Sequence, residues 1–177
     1  MRNKPFVSAV FLTTASLISS LALGRGQTSQ GDVFSKALAH LLSIANNGRF
    51  ESIKGSVSPD TDNEGYKPTI LLPGARDCLL WIYRDSKSPS YRCLMAQGPA
   101  ALANYDGLVE AVSSALGDRV DRRPGQDDSS GLWRIVRTTR FASPSVGQVD
   151  IWVEQYQGRS RRAREEDTML NMTIEKF

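Results

Sequence analysis

The chain is short of the residues from which most catalytic and metal centres are built. Its 177 residues include one histidine, His40, and two cysteines, Cys78 and Cys93. That set is too small for a zinc site, and no C-x-x-C spacing points to a redox motif. No serine sits in a G-x-S-x-G elbow, so the local signature of an α/β-hydrolase nucleophile is missing. Asp60, Asp62 and Glu64 alternate, but they lack the full spacing and distal glutamate of a calcium loop. His40 falls on the polar side of its helical pattern with Lys36 and Ser43, which suits a solvated residue better than a general base. No catalytic residue, cofactor site or metal site is assigned from the sequence.

What is present begins at the N-terminus. Met1-Arg2-Asn3-Lys4 is a short basic start, and Phe6 to Leu23 carries no charge. Ala22 and Gly24 put small residues at the −3 and −1 positions of a cut after Gly24. These are the three parts of a secretory signal peptide, so residues 1–24 are read as a cleaved leader. A retained anchor is the lesser reading, because interspersed Ser and Thr lower the hydrophobicity of a run barely long enough to span a bilayer. No cysteine follows the run to carry a lipid, and no later segment could span a membrane. Cleavage removes Arg2 and Lys4, leaving 20 basic against 19 acidic side chains. Global charge then gives no basis for a nucleic-acid partner.

An exported chain lets its two cysteines pair. A Cys78–Cys93 disulfide would close a short loop, worth about 3 kcal/mol in the chain-entropy model. The pair also fits a hairpin. If Cys78–Tyr83 and Tyr91–Ala96 are strands with the cysteines opposite each other, the turn centres between Asp85 and Ser86, inside the polar stretch Arg84–Ser90.

Residues 25–31 read as a flexible mature N-terminus and 32–177 as one domain. A first helix starts at Asp32, with Phe34, Leu38, Leu41, Leu42 and Ala45 on one face, and stops at Asn46-Asn47-Gly48. Gly55–Gly65 is a polar loop. Strands are predicted over Tyr66–Leu72 and over the two hairpin arms. Gly98-Pro99 opens a second helix that ends at Gly117, and Gly107 within it suggests close packing on a sheet. After a polar loop over Asp118–Gly131, strands are predicted over Leu132–Phe141, Gln148–Tyr156 and Thr168–Ile174. The expected fold is α+β in the order α-βββ-α-βββ: two layers, with both helices on one face of an antiparallel sheet.

Arginine is the conspicuous residue. Arg119, Arg122 and Arg123 precede one loop, Arg134, Arg137 and Arg140 lie along one strand, and Arg159, Arg161, Arg162 and Arg164 crowd the last hairpin. Alternation places Arg134 and Arg140 together on a solvated face with Thr138, opposite Trp133, Ile135 and Phe141 in the core. Such clusters suit carboxylate, phosphate or an acidic protein surface. Glu165-Glu166-Asp167 directly follows the last cluster and can neutralise it. The strand aromatics, including Trp81, Trp133 and Trp152, read mainly as core. Asn171-Met172-Thr173 is a formal glycosylation sequon inside a predicted strand.

The string Phe50…Ile53-Lys54-Gly55, Leu72-Pro73-Gly74-Ala75…Cys78, Tyr91-x-Cys93 and Tyr105…Leu108-Val109…Val112…Leu116 resembles a pattern in small exported bacterial proteins of uncharacterised function. The resemblance covers the middle of the chain and implies architecture, not activity. The functional expectation is a secreted or periplasmic, non-enzymatic binding or accessory protein. Its ligand would be a protein or an anionic group, met by the outer sheet face or by the arginines at 134, 140, 159, 161, 162 and 164. The alternative is a small hydrolase using Asp150 and Glu154, which share a strand face.

Overall fold

The structure, a computed structural model, describes residues 30–59, 65–82, 89–125, 132–156 and 167–176. The expected leader over residues 1–24, the alternating acids at 60–64 and the arginines at 159, 161, 162 and 164 lie outside these residues.

Helix α1 spans Gln30–Asn46, starting two residues before the predicted Asp32. Its stripe is as expected: Leu38, Leu41 and Ala45 are fully buried. The helix stops where Gly48 takes a positive φ of 65°. There the Gly48 and Arg49 amides donate back to the Ala45 and Ile44 carbonyls. A 3-10 turn at Phe50–Ile53 buries both of its end residues. Four strands follow: β1 (Lys54–Val57), β2 (Gly65–Pro68), β3 (Asp77–Trp81) and β4 (Ser90–Gln97). Helix α2 spans Pro99–Leu116, with proline in its first turn and Gly117 just past its end. Four more strands complete the fold: β5 (Asp121–Arg123), β6 (Trp133–Ser143), β7 (Gly147–Tyr156) and β8 (Thr168–Glu175).

Each helix is thus followed by four strands, where the sequence predicts three. The two unforeseen strands, β1 and β5, are the two edges of the sheet. They are short and carry no buried residue. A half-buried strand's alternation therefore has nothing to act on there. Gly55 earns its place in β1 by proximity, because a Cβ there would run into the Lys67 carbonyl of β2. Gly107 does not: a Cβ at that position would meet open space, so the expectation of close packing fails.

All pairings are antiparallel, and the strand order is β1-β2-β3-β4-β8-β7-β6-β5. Each four-strand run is a meander, and the last strand of each meets the other at the centre. The β3–β4 register is the one that the cysteines require. Cys78 faces Cys93, their sulfurs are bonded, and the flanking pairs follow in step. The predicted turn centre falls outside the described residues.

The two helices contact each other, and both contact β7 and β8. Alternate residues of the central strands fill the core: Tyr91 and Cys93 on β4, Val149, Ile151 and Val153 on β7, and Leu170, Met172 and Ile174 on β8. Tyr91 is fully buried but not wasted as a polar group. Its hydroxyl donates to the Ile70 carbonyl and accepts from the Leu72 amide, tying the segment after β2 onto β4. Burial pushes its phenol up to about 12. At the α2–β6 contact, Arg137 forms a bidentate pair with Asp106 and stacks over Tyr105, whose hydroxyl meets Thr139. That guanidinium holds the Asp106 carboxyl below its ordinary value.

Candidate functional site

The residues between the core residues point to the opposite face. On β7 these are Gln148, Asp150, Trp152 and Glu154. On β8 they are Met169, Asn171, Thr173 and Glu175. Register carries Arg92 of β4 beside Thr173, and Thr138 and Arg140 of β6 beside Trp152 and Asp150. On this face Arg92, Thr138, Arg140, Asp150, Trp152, Glu154, Thr173 and Glu175 line a groove of about 360 Å³ across β4, β8, β7 and β6.

Its charged groups differ in how firmly they are held. Arg140 grips Asp150 bidentately at 2.6 and 3.0 Å, with both side chains largely buried. Gln148 adds a third hydrogen bond to the same carboxylate at 2.8 Å. Glu154 accepts from the Asn171 amide at 2.8 Å. Two groups are not matched in this way. Among the described residues, Arg92 has no carboxylate within ion-pair distance, and its guanidinium lies 5.1 Å from the Trp152 ring centre. Glu175 has no hydrogen-bond or ion-pair partner there. Its carboxyl is held above the ordinary value by burial, and then by the nearby Asp150, against the pull of Arg140 and Arg92. Thr173, 4% exposed, has a buried hydroxyl with no hydrogen-bond partner. A buried hydroxyl left unpaired costs about 1–3 kcal/mol, so the site is polar but incomplete on its own.

The expected arginine row needs correction. A bulge between Ile135 and Arg137 adds one residue, Val136, to β6 and shifts the alternation before it. Ile135 is paired with Glu154 and lines the groove, instead of entering the core with Phe141. Arg134 pairs with Gln155 and falls on the face opposite Arg140. Only Arg140 of that pair reaches the groove, and it is already matched to Asp150. Asp150 and Glu154 do share one face, as expected. Trp152 lines the groove and Trp133 packs 5.0 Å from Tyr156, so these two aromatics are not core. His40 is exposed. Asn171 of the sequon is 5% exposed and bonded to Glu154, which leaves no room for a glycan on the folded chain.

Arg92, Thr173 and Glu175 were not singled out from the sequence. They lie on strands 80 residues apart in order of magnitude, and only the β4–β8 pairing joins them. Among the described residues, no group of three His, Cys, Asp or Glu side chains is placed to hold a metal ion. No helix there is long and apolar enough to cross a membrane. Comparison with known proteins finds no matching family model, no matching curated protein and no matching solved structure.

Proposed function

We propose that the protein is an exported, non-enzymatic binding module that receives an anionic group of its ligand in the β4–β8–β7–β6 groove. On this reading the fold is two layers, with both helices on the core face and the groove face left for a partner. The observation that carries the proposal is Arg92: among the described residues its guanidinium has no carboxylate partner, it lies over the Trp152 ring, and it sits across the strand pair from Thr173, whose buried hydroxyl has no hydrogen-bond partner there. A stacked guanidinium keeps its planar fork available for an oxyanion at little further entropic cost. The disulfide is compatible with an oxidising compartment and with a leader over residues 1–24. Residues 157–166 join the two strands that floor the groove, so their four arginines are proposed as a second contact for a large acidic partner.

Titration with lactate, sulfate and phosphate at low ionic strength, read on the Trp152 indole resonance, tests this. Arg92→Gln should weaken the response at least tenfold. An unchanged response removes Arg92, and with it the proposal. Mass spectrometry of the exported protein should find Arg25 at the N-terminus, and an intact Met1 would refute cleavage.

A second reading, a hydrolase built on Asp150 and Glu154, gains a third acid in Glu175. It is the weaker one, because Asp150 and Glu154 are each tied to a neighbour. Hydrolysis of an ester or glycoside panel that disappears in Glu175→Gln would establish it.

A further inference from the structure

We propose that the groove binds a single carboxylate and that this binding draws one proton onto Glu175. The proposal rests on the groove being the binding site, and it names both the ligand class and how binding is controlled.

The charge census of the lining sets the ligand's charge. Arg92 and Arg140 stand against Asp150, Glu154 and Glu175. Arg140 is matched to Asp150, and Glu154 accepts a hydrogen bond from the neutral Asn171. That leaves one cation and one carboxyl without partners, Arg92 and Glu175, on adjacent strands. A monoanion entering with one proton leaves the charge of the groove unchanged. A dianion such as sulfate would need two protons, and among the lining carboxyls only Glu175 lacks a hydrogen-bond or ion-pair partner.

Glu175 is suited to that role. The charged groups that act on it are Arg92 from β4, Asp150 from β7 and Arg140 from β6, while Glu154 lines the far end of the groove, opposite Met169. Burial and Asp150 already favour its neutral form, although both arginines oppose this. A second carboxylate arriving nearby favours it further, because two carboxylates sharing a site hold a proton between them. The neutral acid then donates to the ligand oxygen, while Arg92 donates to the same group. Thr173 is the buried donor left to complete it. Trp152 and Ile135 give the ligand's carbon skeleton an apolar wall.

A carboxylate of this kind occurs on a free small acid or at the end of a peptide. Lactate and an acetylated alanine tetrapeptide, as free acid and as amide, separate the two sources. Each is titrated into the full exported chain between pH 4.5 and 8, where both carboxyls stay ionised. Calorimetry in buffers of different protonation enthalpy counts the protons. The free acids should bind with uptake of about one proton, and affinity should rise toward about tenfold per unit fall in pH. Glu175→Gln should bind independently of pH, and Arg92→Gln should lose binding at every pH, with circular dichroism confirming that both are folded. Preference for lactate assigns a free acid, and preference for the tetrapeptide acid over its amide assigns a chain terminus. Sulfate binding more tightly than either acid, or binding without proton uptake, overturns the proposal. If such binding still depends on Arg92, the groove reading survives. Absence of any anion response removes both.

Discussion

Strands β7 and β8 present two chemistries from the same run of backbone. Val149, Ile151 and Val153 alternate with Asp150, Trp152 and Glu154, and Leu170, Met172 and Ile174 alternate with Asn171, Thr173 and Glu175. One set is buried, apolar and complete. The other lines a groove whose polar groups are partly matched and partly left over. Stability is concentrated on the first face, and unmet hydrogen-bonding capacity on the second. Substitutions one residue apart on the same strand should therefore differ in kind as well as in size.

The largest effect belongs to the core face. Ile151→Ala, at a fully buried site, should lower unfolding free energy by about 3 kcal/mol in urea titrations. A loss of about the same size, again near 3 kcal/mol, is expected when both Cys78 and Cys93 are replaced by alanine. Next come the two bidentate arginine–aspartate pairs. Arg140→Gln leaves the largely buried Asp150 short of its main partner and should cost about 2 kcal/mol. Arg137→Gln acts on an exposed pair and should cost well under 1 kcal/mol. Equal losses would erase the distinction between a buried and an exposed pair. Thr173→Val should raise stability by about 1 kcal/mol while weakening anion binding, because it removes an unpaired buried hydroxyl. A loss of stability there would mean the hydroxyl is already satisfied.

The smallest effect is a slope. Glu175 titrates higher in the folded chain than in the unfolded one, so between those two values the folded state holds more protons. Its contribution is present at low pH and fades as pH rises through the folded value. Glu175→Gln should therefore flatten the fall in stability from about pH 4.5 upward. An unchanged slope would remove Glu175 as the source.

Much of this was legible in the residues. The helix stripes, the helix end at Gly117 and the β3–β4 register all follow from local pattern plus one covalent constraint, whereas the strand expected over Tyr66–Leu72 stops at Pro68, well before the Pro73-Gly74 turn. The edge strands were not legible, because three or four residues of which none is buried leave no period. The face assignment on β6 failed for another reason. Alternation is a counting rule, and one inserted residue, Val136, reverses it for everything before. The groove was the hardest part. Asp150 and Glu154 could be placed on one face from β7 alone, but Arg92 needed the β4–β8 pairing, a contact between strands separated by an entire helix and three other strands.

That central pairing also bears on timing. β4 is complete in sequence by Gln97, yet its partner is the last strand of the chain, Thr168–Glu175. Until those final residues are available, the middle of the sheet is an open edge and the helices lack much of the surface they pack on. Closure is thus the most sequence-distant strand pairing in the sheet, and such contacts form slowly. A chain stopped at Asp167 should fail to reach cooperative unfolding, whereas one that includes β8 should gain it in one step.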